Sequence, residues 1–274
     1  MKGFSDQAIA EYMKISVIGA GAMGGALAEG LLRCGKYAAG DITVADPSAD
    51  KLKAFADKGA MTTTDNVSAV AGADVIMVVV KPWIVETVLR QIAPAVDCNS
   101  QMLVVIAAGV SSADVLGWAA NAAGEVPAAF LAIPNIAIAE LCSMTFVVPV
   151  NATETQTGQV CGVFNAVGTT IVTEERLLAA GTTLASCGIA YAMRYVRAAT
   201  EGGVELGFRA ADARNIVLQT VRGAVELLQA NGNHPEAEID KVTTPGGVTI
   251  RGLNEMEHAG FTSAVIRGLK AGLG

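Results

Sequence analysis

Short apolar runs alternate along most of the chain with segments in which apolar residues recur at helical spacing. Runs typical of buried strands lie at 14–18, 42–46, 75–80, 102–106, 130–133, 144–149 and 169–172. Helical segments separate most of these runs, and this alternation is typical of βαβ units. We therefore expect an α/β fold with a mostly parallel, doubly wound Rossmann sheet over residues 14–173.

The pattern changes after the last predicted strand. Thr173 and the acidic residues that follow it are typical of a helix start, with the threonine as N-cap. Helical spacing then continues to the end of the chain, interrupted by glycine-containing turns. We predict an all-helical C-terminal domain over residues 174–274. Residues 1–13 are polar at their start and lack the apolar centre of a signal peptide, so they predict a loose extension.

The composition favours a chain that associates with copies of itself. Hydrophobic residues make up 52% of the sequence and aromatic residues only 5%, so small apolar side chains dominate. This suits helices packed tightly on a parallel sheet, and it leaves apolar surface that an oligomer interface can cover. No apolar run approaches the roughly 20 residues that a membrane helix requires.

Charge and cysteine content restrict the partners and the compartment. A net charge of −7 argues against nucleic acid and anionic membranes as partners. The five cysteines are scattered and form no C-x-x-C pair, so we expect neither a metal site nor a disulfide framework. A reducing, cytoplasmic location follows as the expectation. His234 and His258, the only histidines, are expected to be structural or solvated.

A glycine-rich fingerprint follows the first strand and opens a helical segment: Gly19-Ala20-Gly21-Ala22-Met23-Gly24. In this context Gly19 makes the tight turn, Gly21 lets a pyrophosphate approach the backbone, and Gly24 lets the helix pack on the strand. Asp46 ends the next strand at about the spacing of a ribose-binding carboxylate. The segment predicts a dinucleotide site.

Two more segments follow buried strands, where ligands of doubly wound sheets bind: Val80-Lys81-Pro82 and Ala107-Ala108-Gly109. The small residues of the second segment allow a nicotinamide ring or its ribose to come close. Lys81 either contacts the cofactor or is a solvated lysine at a strand end. We include both segments among the cofactor-binding candidates.

A second candidate site lies near the C-terminus, in the segment Thr244-Pro245-Gly246-Gly247-Val248-Thr249. The proline and the two glycines predict a tight turn, and an amphipathic helix is predicted to begin near Thr249. Backbone N–H groups at such a helix start suit a carboxylate or phosphate, and the Thr249 hydroxyl adds another donor. The alternative is a glycine-rich turn capped by threonine.

Taken together, these segments resemble the pyrroline-5-carboxylate reductase family over nearly the whole chain from Met13. The segment from Thr244 to Glu257 is the most specific part. Other motifs occur in the family's order: the glycine fingerprint, Val80-Lys81-Pro82, Ala107-Ala108-Gly109-Val110, Ile133-Pro134-Asn135 and His234-Pro235. The resemblance implies that NADPH or NADH reduces the cyclic imine of 1-pyrroline-5-carboxylate to L-proline, the last step of proline biosynthesis.

The resemblance also implies roles for single residues and for the C-terminal domain. Asn66 would lie near the adenosine ribose, although its local sequence equally suits a helix cap. Asn135 joins the cofactor-binding candidates, but the residues after it depart from the family's Pro-Asn-Thr-Pro run. Cys187 and Ile189 replace a serine and a proline of the family, which affects the expected pocket wall. The C-terminal domain would bind substrate and form a homodimer or higher homo-oligomer that completes the site.

Imine reduction requires a fixed substrate carboxylate and a polar group at the imine nitrogen. We assign the carboxylate to loop amides, with help from Thr244: Gly246, Gly247, Val248 and Thr249. The Thr249 hydroxyl is the candidate catalytic group, either as proton donor or as hydrogen-bond partner of the nitrogen. Because threonine is a poor acid, polarisation of a partly protonated imine is the simpler role.

Two other functions are compatible with a Rossmann fingerprint. A β-hydroxyacid dehydrogenase has a similar plan but uses a lysine on the long helix after the Rossmann domain, and no lysine occurs between Arg176 and Asp240. A non-catalytic nucleotide sensor would not require the loop from Thr244 to Thr249. Both alternatives are less consistent with the sequence than the reductase.

The sequence leaves the choice between NADPH and NADH open. If Asp46 faces the ribose, its carboxylate accepts hydrogen bonds from the hydroxyls of NADH and repels the 2′-phosphate of NADPH. If Ser48, Lys51 and Lys53 form a phosphate site instead, NADPH is preferred. We expect both cofactors to be used with a relaxed preference.

Overall fold

The structure is a computed structural model that describes residues 13–273. The chain divides into two compact units, and the division lies between Ser186 and Cys187. The extension predicted over residues 1–13 lies outside the described residues except for Met13. The Met13 side chain is buried in a hydrophobic core of the first unit.

The first unit contains a sheet of eight strands. In chain order they are β1 Ile15–Ile18, β2 Ile42–Ala45, β3 Met61–Thr63, β4 Val75–Val78, β5 Met102–Val105, β6 Ala128–Ile133, β7 Ser143–Pro149 and β8 Gly168–Val172. Their order in the sheet is β3-β2-β1-β4-β5-β6-β7-β8. Only the β6–β7 pair is antiparallel among these strands. The predicted mostly parallel, doubly wound sheet is confirmed.

Alternate residues of the central strands belong to two separate hydrophobic cores. In β4, Val75 and Met77 pack in one core, whereas Ile76 and Val78 pack in the other. Successive side chains of a strand point to opposite faces, so the two cores lie on opposite faces of the sheet. Because both faces are covered, the strand is apolar at every position, which explains the continuous apolar run in its sequence.

Six helices of the first unit connect or flank these strands. They are α1 Ala22–Arg33, α2 Ala49–Ala56, α3 Asn66–Val70, α4 Pro82–Ile92, α5 Ser112–Ala119 and α6 Glu154–Asn165. Residues of α1, α2 and α6 contribute to the first core, and residues of α3, α4 and α5 contribute to the second. The sheet is therefore covered by helices on both sides, as a doubly wound fold requires.

Two details of the first unit differ from the sequence prediction. Strand β3 was not predicted, because it has only three residues at the sheet edge and none of them is buried. The helix start predicted at Thr173 is a 3₁₀ turn, Glu175–Leu177, with Glu174 as its N-cap. It leads into α7 Leu178–Gly181 and then into a π-helical turn, Thr182–Cys187.

All regular elements among the described residues of the second unit are helices, as predicted. Its helices are α8 Gly188–Glu205, α9 Ala210–Asn231, α10 Pro235–Lys241, α11 Val248–His258 and α12 Phe261–Ala271. The close approach of α8 and α9 depends on a glycine, since a Cβ on Gly203 would lie 2.9 Å from the Cβ of Ala213. Within residues 187–273, Ala213 is the only apolar side chain that is fully buried.

Candidate active site

A cleft of about 550 Å³ lies at the carboxyl ends of β1, β4 and β5 in the first unit. The chain runs from β1 to β2 on one side of β1 and later crosses to β4 on the other side, so this is the switch point where doubly wound sheets bind ligands. The predicted cofactor-binding residues that line the cleft are Gly19, Gly21, Ala22, Met23, Asp46, Asn66, Val80, Lys81, Pro82, Ala107 and Ala108.

The glycines of the fingerprint have three different structural roles. Gly19 has φ +106°, which favours glycine, and a Cβ there would collide with the carbonyl oxygen of Val79. A Cβ on Gly24 would collide with the carbonyl oxygen of Gly19, so α1 can pack here only without a side chain. A Cβ on Gly21 would have no other atom within 4 Å. Gly21 therefore leaves open space beside the cleft.

The start of α1 is a suitable anion site on the wall of the cleft. Gly21 is the N-cap of this twelve-residue helix, and it provides no side-chain capping hydrogen bond. The next two residues, Ala22 and Met23, line the cleft. Free N–H groups at a helix start attract negative charge, and phosphates bind there commonly. The open space at Gly21 and this helix start together fit the diphosphate of a dinucleotide.

The Asp46 side chain joins the glycine loop to the turn after β2. Its Oδ2 accepts a hydrogen bond from the Ala20 amide at 2.9 Å, and its Oδ1 accepts one from the Ser48 amide at 3.0 Å. The Lys51 ammonium lies 3.2 Å from both carboxylate oxygens. Burial favours the neutral acid, but these amides and Lys51 favour the carboxylate more, so the pKa of Asp46 lies below its usual value.

Four predicted cofactor-binding residues lie outside the lining of the cleft: Ala20, Gly24, Gly109 and Asn135. Ala20 and Gly24 act instead within the glycine loop, through the contacts described above. Gly109 has φ +79° and supplies a turn after β5. Asn135 is buried, and its Oδ1 accepts a hydrogen bond from the Ala137 amide, as N-cap of a 3₁₀ turn at Ile136–Glu140.

The alternative role of Asn66 as a helix cap is not observed. Asp65 is the N-cap of α3, where its carboxylate accepts hydrogen bonds from the amides of Val67 and Ser68. The Asn66 Nδ2 donates to Oε1 of Gln91 at 2.9 Å, and Asn66 lines the cleft. An amide side chain is thereby fixed at the cleft wall.

Lys81 is the N-cap residue of α4 and lines the cleft with an exposed side chain. Pro82 at the first position of α4 fixes the backbone there, since its φ suits a helix start. Both residues directly follow the apolar segment that ends β4. Their position at the carboxyl end of a central strand is the one predicted from the sequence.

The lining also contains apolar residues that were not predicted from the sequence: Ile18, Pro47, Val79, Ile84, Val88 and Ile106. Most of them stand at the ends of strands or in the first turns of α4. Residues of these types also occur throughout the core, so residue type alone does not identify them as part of a cleft. Position at the carboxyl end of a buried strand is the signal that could have found Ile18, Val79 and Ile106.

The second candidate site, in the second unit, is an exposed turn before α11. Gly246 has φ +68°, and the Gly247 amide donates to the Thr244 carbonyl oxygen at 2.9 Å. A Cβ on Gly247 would lie 2.5 Å from Thr244 Oγ1, so the turn requires glycine here too. The predicted use of the Gly247 amide for substrate conflicts with this hydrogen bond, because the amide already has an acceptor.

The first residues of α11, Val248 and Thr249, are consistent with the rest of the predicted substrate site. Gly247 is the N-cap of α11 and provides no side-chain capping hydrogen bond. Among the hydrogen bonds of residues 13–273, none engages the amides of Val248 and Thr249 or the hydroxyls of Thr244 and Thr249. These groups are exposed to solvent and available to a ligand.

Neither histidine lines the cleft. His234 is the N-cap of α10 and accepts a hydrogen bond from the Glu236 amide. His258 lies 3.7 Å from Glu255 on the exposed side of α11.

Within residues 13–273, no group of three or more histidine, cysteine or acidic side chains is placed to hold a metal ion. None of the helices in that range combines the length and apolar character needed to cross a bilayer.

Comparison with known proteins supports the sequence resemblance. Residues 175–273 match the family model described as pyrroline-5-carboxylate reductase dimerisation. Residues 14–109 match the model described as NADP oxidoreductase coenzyme F420-dependent. The dimerisation model covers the helical second unit and favours a homo-oligomer.

Relatives named pyrroline-5-carboxylate reductase match over nearly all of the chain. Pyrroline-5-carboxylate reductase of Escherichia coli K12 is 33% identical over 259 residues, which cover 93% of this chain and 94% of that protein. Pyrroline-5-carboxylate reductase 1 of Dictyostelium discoideum is 36% identical over 93% of this chain. This chain spans about half of the Dictyostelium protein, 48% of its length.

A solved structure has the same fold. The Plasmodium falciparum pyrroline carboxylate reductase, crystallised with NADP bound, gives a TM-score of 0.84 at 24% identity. The match covers 96% of each chain. This likeness shows a shared fold, and the Escherichia coli relative adds 33% sequence identity over 94% of its own length. The chain therefore belongs to the pyrroline-5-carboxylate reductase family.

Proposed function

We propose that this protein reduces the cyclic imine of 1-pyrroline-5-carboxylate to L-proline with NAD(P)H. The observation that carries the proposal is the exposed turn from Thr244 to Thr249. It presents two free amides and two free hydroxyls at the start of α11, in a chain that belongs to the reductase family. A small substrate with a carboxylate beside a C=N group matches these donors.

The cleft of the first unit is the proposed cofactor site. The diphosphate is expected to contact the start of α1 beside Gly21, where no side chain fills the space. When bound, the nicotinamide supplies a hydride to the imine carbon. Asn66 and Lys81 contribute polar groups to the wall, while Ala107 and Ala108 keep one side of the cleft free of bulky side chains.

The turn before α11 is the proposed substrate site. We assign the substrate carboxylate to the amides of Gly246, Val248 and Thr249, with the Thr244 hydroxyl as a further donor. Gly247 acts indirectly, because it shapes the turn and its amide is used within it. The site holds the charge of the substrate by hydrogen bonds from the backbone, whose positions are fixed by α11.

The Thr249 hydroxyl is proposed to interact with the imine nitrogen. As the hydride reaches the carbon, the C=N π bond breaks and its electron pair moves to nitrogen, which takes up a proton to become the secondary amine. A hydroxyl near nitrogen stabilises the iminium before transfer and the amine after it. Threonine need not act as the ultimate acid, because a partly protonated imine already carries the proton.

An assay of substrates separates this proposal from its alternatives. Absorbance of the reduced nicotinamide is followed with 1-pyrroline-5-carboxylate, and, in the oxidising direction, with 3-hydroxyisobutyrate and NAD(P)⁺. We expect turnover with the imine and none with the hydroxyacid. Turnover of the hydroxyacid alone would support the β-hydroxyacid dehydrogenase instead, and cofactor binding without turnover would support a sensor.

We also propose that residues 174–274 form the substrate-binding and dimerisation domain and that residues 14–173 form the cofactor domain. The reason is the large number of exposed apolar side chains on the second unit, including Met193, Leu206 and Phe208. Such an area of exposed apolar side chains on a single chain indicates an interface.

The cytoplasm is the proposed compartment, since all five cysteines are free thiols.

The proposed oligomer gives a direct prediction. Light scattering at micromolar concentration is expected to give at least twice the mass of one chain, because a single unit with one buried apolar residue between 187 and 273 has little core of its own. Dilution that separates the chains should lower activity and the melting temperature together. A monomer with full activity would contradict the proposal.

A further inference from the structure

Asp46 stands where a ribose-binding carboxylate is expected, but its hydrogen-bonding capacity is already used. A carboxylate has about four acceptor positions. The amides of Ala20 and Ser48 take one position on each oxygen, and Lys51 Nζ lies 3.2 Å from both. The Asp46 side chain is only 6% exposed. A ribose diol could bind this carboxylate only after displacing a backbone amide or Lys51.

Lys51, unlike Asp46, keeps hydrogen-bonding capacity for a ligand. Its side chain is 51% exposed, and the residue lines the cleft beside Asp46 and Pro47. An ammonium has three donors, and two of them suffice for the two carboxylate oxygens. At least one donor of Lys51 is therefore free. The carboxylate fixes the position of a cation that keeps hydrogen-bonding capacity for a ligand.

We propose that Lys51, held in place by Asp46, selects NADPH over NADH by binding the 2′-phosphate of the cofactor. Lys51 is then the specificity-determining residue, and Asp46 is a positioning residue that also anchors the glycine loop through Ala20. This inference rests on the proposed function of the cleft as the cofactor site. It differs from the expectation of a relaxed preference, because the repulsion expected from Asp46 is offset by the amides of Ala20 and Ser48 and by the Lys51 ammonium.

The chain offers a matched control two residues away. Lys53 lies on the same helix but outside the cleft lining, with its side chain 82% exposed and its ammonium 4.0 Å from Asp50. Replacing Lys53 removes the same charge as replacing Lys51. Long-range electrostatic attraction of a phosphate is therefore similar in Lys51→Met and Lys53→Met, and only direct contact differs between them.

Binding is measured without substrate, by titrating the intact protein with NADPH, NADH, 2′,5′-ADP and 5′-AMP. Calorimetry gives the dissociation constants, and quenching of tryptophan fluorescence checks them, since Trp83 is exposed next to Pro82 in the lining. We expect the wild-type protein to prefer NADPH over NADH and 2′,5′-ADP over 5′-AMP. Loss of one charge-assisted hydrogen bond in Lys51→Met should weaken NADPH about 10-fold.

The same variants give a pattern that a purely structural role would not produce. NADH should bind Lys51→Met as well as it binds wild type, or more tightly, because two acceptor positions of Asp46 become free. Lys53→Met should keep the wild-type ratio. Asp46→Asn should weaken both cofactors through the glycine loop and lower the NADPH preference, since Lys51 loses its partner.

Two results would overturn the inference: a wild-type preference for NADH, or an unchanged NADPH-to-NADH ratio in Lys51→Met. Neither result would affect the proposed reaction, because both cofactors could still support reduction of the imine. Conversely, absence of imine reduction would leave the binding ratios interpretable. The cofactor preference and the imine reduction are therefore tested separately.

Discussion

A Gly21→Val variant is expected to fold normally and to bind NAD(P)H about 100-fold more weakly than the wild-type protein. The backbone of Gly21 has φ −74°, which valine adopts freely, and a Cβ there meets no other atom within 4 Å. The new side chain would occupy the space through which the diphosphate reaches the start of α1. Losing one or two charge-assisted hydrogen bonds of about 1.5–3 kcal/mol each accounts for the expected factor.

Two neighbouring glycines provide the comparison for this variant. Gly24→Ala should lower the melting temperature, because its Cβ collides with the carbonyl oxygen of Gly19. Gly25→Ala should change neither stability nor affinity by much, since its Cβ makes ordinary contacts at 3.7 Å or more. Wild-type cofactor affinity in a folded Gly21→Val protein, measured by fluorescence titration, would show that the diphosphate binds elsewhere.

Thr249→Ala is expected to lower kcat by about 10-fold or more. The loss is placed in kcat because the hydroxyl is assigned to the imine nitrogen, where charge changes as the hydride is transferred. The Thr249 amide, assigned to the carboxylate, remains in the variant, so KM for the imine should change less than kcat. Steady-state kinetics with saturating NAD(P)H measure both constants.

Two control variants test whether the effect comes from the Thr249 hydroxyl. Thr249→Ser keeps the hydroxyl and should retain most of the wild-type kcat. Thr220→Ala, on α9, removes a hydroxyl that donates only to the Ile216 carbonyl oxygen and should leave kinetics unchanged. An unaltered kcat in folded Thr249→Ala protein would show that the hydroxyl does not act at the nitrogen.

The fold could be predicted well from the sequence because the central strands are buried on both faces. Their apolar runs are continuous, and helical spacing between them is regular, so element types and topology class were correct. Strand β3 was missed since edge position removes the need for apolar residues, and Met61-Thr62-Thr63 is both short and partly polar. Local sequence therefore identifies buried strands better than edge strands.

Most of the residues that line the cleft could be predicted from the sequence, but the contacts within it could not. The sequence placed Asp46 at the end of β2, yet its hydrogen bond from Ala20 links residues on two different strand ends. The choice between Asp65 and Asn66 as cap of α3 differs by one residue and depends on side-chain geometry. The internal hydrogen bond of the Gly247 amide likewise follows from the turn's three-dimensional form.

Hydride transfer to the imine carbon of 1-pyrroline-5-carboxylate is followed with nicotinamide cofactor that carries deuterium at the transferable position. The product is then analysed by mass spectrometry and NMR. We expect L-proline with one deuterium at the carbon that was double-bonded to nitrogen, in equal amount to the cofactor oxidised. Proline without deuterium, or cofactor oxidation without proline, would contradict it.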